Sequence, residues 1–250
     1  MSPRVSAATL GRMIEELVRQ PGRAPAPRGL PCLGLESASG TGSHLLDALA
    51  AHGIFRKYET VLDLAGGIGG TGRWLAARLG CTAVVTADAV AAAVGARLTR
   101  LARLRGQVAH VPARPDALPF GDARFTHVWA IEVLAELTGT DAVLREVLRV
   151  LRPGGHVAVQ ELVQTSDPRA IVEASVWCDR LVAAGFVDVT MRETADVAEH
   201  SAQVAAARQQ LAVRLATSDA GSQIVASRRR LGDALAAGRL RAMQLVARRP

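Results

Sequence analysis

The sequence predicts an α/β domain built on a mostly parallel sheet. Three observations carry the prediction. Between Val61 and Leu162, short apolar runs alternate with amphipathic segments, as in stacked βαβ units. The first run opens into a glycine-rich turn, Ala65-Gly66-Gly67-Ile68-Gly69-Gly70, and then a helical pattern. Of the 250 residues, 49% are apolar, enough to bury one sizeable core.

Ala7 to Gln20 reads as an amphipathic helix with Leu10, Ile14, Leu17 and Val18 on one stripe. Pro21 to Gly42 is rich in proline, glycine and serine and reads as a loop or arm. Ser43 is placed to cap a helix running to about Ile54. Val61 to Ala65 is a strand, Gly69 to Leu79 a helix and Thr82 to Ala87 a second strand. The helix Val90 to Leu104 sets Val90, Val94, Leu98 and Leu101 on one face and Arg97, Arg100 and Arg103 on the other. Gln107 to Val111 and Phe125 to Ile131 are strands three and four. Asp141 to Leu151 is a helix facing inward through Leu144, Val147, Leu148 and Leu151. Pro153, Gly154 and Gly155 are expected to end it before a fifth strand, His156 to Leu162. Beyond lie a helix over Val172 to Ala184, a strand over Val187 to Met191, helices over Val197 to Ala216 and Ser222 to Ala237, and a closing strand, Arg241 to Ala247.

Composition excludes several classes. No apolar run approaches the roughly 20 residues of a membrane helix. Arg4, Arg12, Glu15, Glu16 and Arg19 break up any leader-like apolar stretch near the start. Cys32, Cys81 and Cys178 are far apart and odd in number, which suits reduced thiols in a cytoplasm better than a disulfide framework or a metal site. The net charge of +7 reflects arginine, since Lys57 is the only lysine. Eight aromatic residues are too few for a base-stacking platform, so no nucleic-acid partner is expected.

The glycine turn admits two readings. Gly67-Ile68-Gly69-Gly70-Thr71-Gly72 fits the dinucleotide pattern G-x-G-x-x-G, with Asp88 at a distance suited to ribose hydroxyls. Three features favour another ligand. Asp63 stands just before the turn, where a carboxylate suits an ammonium group and would repel a pyrophosphate. Ala117-Leu118-Pro119-Phe120 follows strand three. Leu151-Arg152-Pro153-Gly154-Gly155 precedes strand five.

Taken in order, Asp63 with the glycine loop, Val85-Thr86-Ala87-Asp88, Leu118-Pro119-Phe120, Phe125 to Ile131 and the Arg-Pro-Gly-Gly turn resemble the class I, Rossmann-like, S-adenosylmethionine-dependent methyltransferases. The resemblance covers about Val61 to Leu162. The C-terminal part is more loosely similar to the tocopherol and sarcosine/dimethylglycine methyltransferase branch. The resemblance implies a mostly parallel seven-stranded sheet with an antiparallel last strand, flanked by N-terminal and C-terminal helices. It implies one domain over 1–250. Residues 1–42 would form the helix and arm, 43–163 the cofactor-binding core, and 164–250 the helices and last strands capping a substrate pocket. The implied activity is methylation of a small molecule at N, O or C, with S-adenosylmethionine as cofactor and no metal.

In the resembled family Asp63 lies near the methionine amine, and Ala65, Gly66, Gly67 and Gly69 form the loop against the amino-acid and ribose portions. Asp88 binds the ribose hydroxyls beside Ala89, and Ile131 lies by the methionine end. For Asp63 the plain alternative is a cap for the glycine turn, and for Asp88 a cap for the next helix. Ala65 replaces a usual glycine, which is tolerable if its φ stays negative. Thr126 replaces a usual aspartate. Arg114 stands where the family aspartate accepts from adenine, and Pro115 lacks the N–H that normally follows. Asp116 is the available substitute, and Arg114 could stack on the adenine. Glu132, Glu136 and Glu161 lie at the carboxyl ends of strands four and five, where an acceptor should sit, and His200 falls in the cap. Glu132, Glu136 and His200 are the catalytic candidates. His127 alternates with Phe125 and Trp129 as a core residue would, and Trp177 suits either a pocket wall or the core. A methyltransferase-fold protein that no longer methylates, serving as a ligand-binding or partner subunit, is the alternative that Arg114-Pro115 motivates.

Overall fold

The computed structural model describes residues 6–19, 46, 49–51, 59–133, 137, 139–165, 168–194, 213 and 219–250. Its elements are α1 (Ala7–Arg19), β1 (Thr60–Asp63), α2 (Gly70–Leu79), β2 (Thr82–Ala87), α3 (Ala89–Leu101), β3 (Val108–Pro112), β4 (Phe125–Ile131), α4 (Thr140–Val150), β5 (Leu151–Gln164), α5 (Pro168–Ala183), β6 (Val187–Thr194), α6 (Asp219–Ala236) and β7 (Leu240–Arg248). The seven strands form one sheet in the order β3-β2-β1-β4-β5-β7-β6. β7 runs antiparallel to both β5 and β6, and the other pairings are parallel. The expected sheet is therefore observed, with the antiparallel strand inserted between its two predecessors.

Alternation along the central strands places the core. Leu62, Leu64, Val128, Ala130, Val157 and Val159 pack with Val143, Leu144 and Val147 of α4 and Leu181 of α5. Val61, Trp129, Ile131, Ala158 and Val246 pack on the other face with Trp74 and Leu75 of α2. Each strand thus supplies both faces, as a sheet covered by helices requires. α1 docks on α3, with Ile14 fully buried among Ala91, Val94 and Leu98, and Glu15 pairs with Arg97 at 2.7 Å.

The structure corrects several boundaries. Val90 is 56% exposed rather than part of the inward stripe, because Asp88 caps the helix and the buried register begins at Ala91. α3 stops at Leu101, not Leu104. Arg103 takes a left-handed φ of 59°, and the Leu104 N–H returns to the Thr99 carbonyl at 3.1 Å, closing the helix without a glycine. α4 stops at Val150, and Leu151 already belongs to β5. The Arg-Pro-Gly-Gly segment lies inside that strand, where Gly154 and Gly155 exchange backbone bonds with Arg249 at 2.9 and 2.8 Å. The arm over 21–42 and the helix over 197–216 fall outside the described residues, apart from helical Val213.

Candidate functional site

The carboxyl ends of β1, β2 and β4 meet at one edge of the sheet. β1 ends on Asp63, and the chain turns through Leu64 to Gly69 into α2. The turn is closed by the Gly69 N–H donating to the Gly66 carbonyl at 2.9 Å. Asp63 is 1% exposed, and its Oδ2 accepts the Gly72 N–H at 2.8 Å. Burial pushes its carboxyl up to about 7, against the opposing pull of the Gly72 N–H and the Arg73 guanidinium. Gly66 is pressed on this carboxylate, and an added Cβ would lie 2.3 Å from Oδ2. Gly67, at φ 56°, would carry its Cβ into open space.

Ala65 departs from expectation. Its φ is 52°, not negative, so the methyl sits in the left-handed region that glycine usually occupies. Thr86, fully buried on β2, holds it there by accepting the Ala65 N–H at 3.0 Å.

Asp88, at the end of β2, caps α3, with Oδ1 accepting from Val90 at 2.9 Å and Ala91 at 3.0 Å. It also lines a cleft of about 440 Å³ with Ala87, Ala89, Pro112, Ala113, Arg114, Ala117 and Pro119. The cap and cleft placements are compatible, because a carboxylate has about four acceptor sites. Arg114 forks onto Asp116 through Nε–Oδ1 at 3.0 Å and a second nitrogen to Oδ2 at 2.7 Å. That hydrogen-bonded pairing holds the Asp116 carboxyl below its ordinary range. Asp116 is absent from the residues that line the cleft, so the expected substitute acceptor is turned to the arginine. The Leu-Pro-Phe segment is fixed from α4. Glu146 accepts the Leu118 N–H at 2.8 Å, and Arg149 donates to the Phe120 carbonyl at 2.7 Å.

Ile131 is buried at the end of β4. Glu132 follows at φ 55°, with its N–H on the Gln160 carbonyl at 2.6 Å and its Oε1 accepting from Gln160 Nε2 at 3.3 Å. Glu161 is 9% exposed on β5. Glu136 and His200 fall outside the described residues. His127 is core, stacked on His156 with ring centroids 5.7 Å apart. Half-buried Trp177 packs against the main core cluster, with Arg180 over its ring at 5.0 Å. Thr126 bonds both the N–H and the carbonyl of Thr60 at 3.0 Å, so it ties β4 to β1.

A group of polar residues behind the glycine turn was not anticipated. Arg73 is fully buried and donates to the Ile68 carbonyl at 2.7 Å and to Thr99 Oγ1 at 3.4 Å. Thr99 Oγ1 also pairs with His110 Nε2 at 2.8 Å. Burial first, and Arg73 second, push the His110 imidazole down to about 4. Each residue occupies an otherwise apolar face, and that local inconsistency is the only sequence signal of the cluster.

The site can accommodate a ligand with a cation at one end, a diol in the middle and a flat ring at the other. Asp63 places a buried carboxyl behind the glycine turn, Asp88 has acceptor capacity beside the cleft, and the cleft is lined largely by alanine and proline. Asp63, Asp88 and this cleft are the residues that could hold S-adenosylmethionine, and Arg114, which lines the cleft, is engaged by Asp116.

The comparisons agree with the fold and the motif order. A family model of the methyltransferase domain matches residues 61–155, and one of the anamorsin N-terminal region matches residues 125–228. Methyltransferase GfsG of Streptomyces halstedii is 35% identical over 121 residues, 47% of this chain and 40% of that protein. The chain thus spans less than half the length of that relative. The phosphoethanolamine N-methyltransferase 2 of Haemonchus contortus superposes with a TM-score of 0.64 at 16% identity, over 98% of this chain and 60% of that one. The [4+2]-cyclase SpnF superposes with a TM-score of 0.60 at 20% identity, over 99% of this chain and 98% of that one. The sheet order and the loop after β1 define a Rossmann-like nucleotide-binding α/β domain. Within that class, residues 61–155 match the methyltransferase domain. Among the described residues no helix is long and apolar enough to cross a membrane, and no group of metal-ligating side chains is found.

Proposed function

We propose that the chain transfers a methyl group from S-adenosylmethionine to the nitrogen, oxygen or carbon of a small molecule. The observation that carries the reading is Asp63, a buried carboxylate behind an open glycine turn, which burial holds near a pKa of about 7 until a cation reaches it. On this reading Asp63 faces the donor's ammonium end, Asp88 takes the ribose hydroxyls, and the cleft along Pro112, Ala113 and Pro119 takes the adenine. Bound donor would supply a methyl group already activated on a sulfonium. The protein's part is then to hold acceptor and methyl in line, and positioning alone can supply roughly 7–11 kcal/mol of barrier lowering.

The test is calorimetry with S-adenosylhomocysteine together with transfer of labelled methyl to amines, phenols and polyprenyl compounds. Asp88→Asn separates the ligand role of Asp88 from capping. Asparagine caps as well as aspartate, so melting should not move, while S-adenosylhomocysteine affinity should fall about tenfold, or roughly 1.4 kcal/mol. Equal loss of both would reduce Asp88 to a cap.

A second reading is a methyltransferase-fold protein without methyl transfer. The bidentate Arg114–Asp116 pair at the cleft rim favours it, and the likeness to a cyclase over nearly the whole chain is consistent with it. Absence of S-adenosylhomocysteine binding at millimolar ligand would select this reading.

A further inference from the structure

Glu132 is the terminus of a polar chain that crosses three strands. Gln160 Nε2 donates to Glu132 Oε1 at 3.3 Å, and Gln244 Nε2 donates to Gln160 Oε1 at 2.8 Å. Gln160 is 0% and Gln244 2% exposed, both inside the sheet. They are partners in the β5–β7 register, and Ile131, the residue before Glu132, is the β4 partner of Gln160. Both donated bonds run the same way, toward the carboxylate. Such a head-to-tail array strengthens each bond and stabilises negative charge at its end. Burying two amides to hold one carboxylate is costly, and the two donated bonds offset that cost only in part. The backbone agrees, because Glu132 keeps a left-handed φ of 55° while its own N–H is tied to the Gln160 carbonyl. Strain of this kind gathers where a side chain must be aimed.

We propose that Gln160 and Gln244 are positioning residues that aim the Glu132 carboxylate, in its charged form, at an N–H or O–H of the methyl acceptor. This rests on the methyltransferase reading and narrows it to acceptors with a protic nitrogen or oxygen at the reacting end. When the acceptor's lone pair bonds to the methyl carbon, the carbon–sulfur pair stays on sulfur and the released proton passes to Glu132. β4 ends at the same sheet edge as Asp63, so the carboxylate stands beside the donor site and not across the molecule from it.

The experiment is a carboxyl-13C NMR titration of the full chain labelled at glutamate, with the Glu132 signal assigned by its loss in Glu132→Gln. Gln244→Met keeps length and removes the donor, and Gln160→Met is the second variant should the first not fold. The expected result is a Glu132 midpoint raised by half a pH unit or more in either variant. A midpoint unchanged in both overturns the ladder. In parallel, labelled methyl transfer is followed to phosphoethanolamine, phenol and geranyl diphosphate. Turnover of an amine or phenol should fall at least tenfold in Glu132→Gln and about fivefold in Gln244→Met, with the pH profile shifted and donor KM within twofold. Transfer confined to geranyl diphosphate, or indifferent to Glu132→Gln, overturns the acceptor assignment. Failure of the unaltered protein to bind S-adenosylhomocysteine would sink the methyltransferase reading instead, while the titration would still report on the ladder.

Discussion

Asp63 couples charge to stability, and on the proposed reading it couples both to the ligand. Its carboxyl titrates near 7 in the folded chain and near 3.8 when unfolded. Between those values the folded state binds a proton that the unfolded state does not, so stability falls as pH rises from about 4 to about 7. A bound cation reverses the preference and expels the proton. Donor affinity should therefore rise with pH to about 7 and then level off, and calorimetry at pH 6 in buffers of different ionisation heat should register proton release. Asp63→Asn keeps an acceptor for Gly72 and removes the buried charge. It should flatten the pH slope and raise the melting temperature at pH 8, while weakening S-adenosylhomocysteine at least tenfold. A weaker melt with unchanged affinity would leave Asp63 a turn cap. Ala65 makes the complementary point about the backbone. A left-handed alanine costs about 1–2 kcal/mol, and glycine costs roughly 0.4–1 kcal/mol through the unfolded chain. Ala65→Gly should thus gain up to about 1 kcal/mol in a denaturant melt, whereas the β-branched Ala65→Val should lose more than 1 kcal/mol.

At the level of elements, α3 inverts a common rule. Gly95 lies mid-helix, where alanine normally gains about 1 kcal/mol. Here a Cβ would meet His110 Cε1 and Nδ1 at 2.5 Å and the Ile68 carbonyl at 3.0 Å. Gly95→Ala should therefore destabilise by roughly 1–3 kcal/mol in urea, and adding His110→Ala should return part of that loss. An alanine that stabilises would mean the imidazole is not wedged between α3 and the turn. The same cluster marks the limit of legibility. Strand and helix periods located the framework because they are local, and six strands fall within three residues of their expected bounds, while β5 starts five residues early. The strand-end placement of Asp63 and Asp88 was legible because each stands beside a turn signal. Arg73, Thr99 and His110 were not, because each looks like a stray polar residue until β3 packs under α3. Gln160 and Gln244 are 84 positions apart and meet only through the antiparallel register of β7. The sign of φ at Ala65 was missed because it is set by the turn's closure and by Thr86 on the neighbouring strand.

At the scale of the whole molecule, the last strand locks the two parts of the sheet together. β7 fills the sheet between β5 and β6, and Ala242, Leu245 and Ala247 are at most 1% exposed. Just past it, Arg249 donates to the Arg149 carbonyl at 3.1 Å and to the Leu151 carbonyl, while its backbone pairs with Gly154 and Gly155. One guanidinium thus partners the Arg149 carbonyl near the end of α4 and the Leu151 carbonyl at the start of β5, and through Arg149 steadies the helix end that fixes Leu118 and Phe120. Arg249→Ala should lower global stability by about 1–2 kcal/mol, because charged hydrogen bonds to carbonyls are lost and those carbonyls are exposed to water. The loss should extend to function. If α4 positions the Leu-Pro-Phe segment beside the cleft, hydrogen exchange should quicken at Leu118 and S-adenosylhomocysteine should bind several-fold more weakly, even where the variant is fully folded. Protection unchanged at Leu118 in a destabilised variant would mean that the tail stabilises the sheet alone, and that the Leu-Pro-Phe segment is held by Arg149 and Glu146 without help from Arg249.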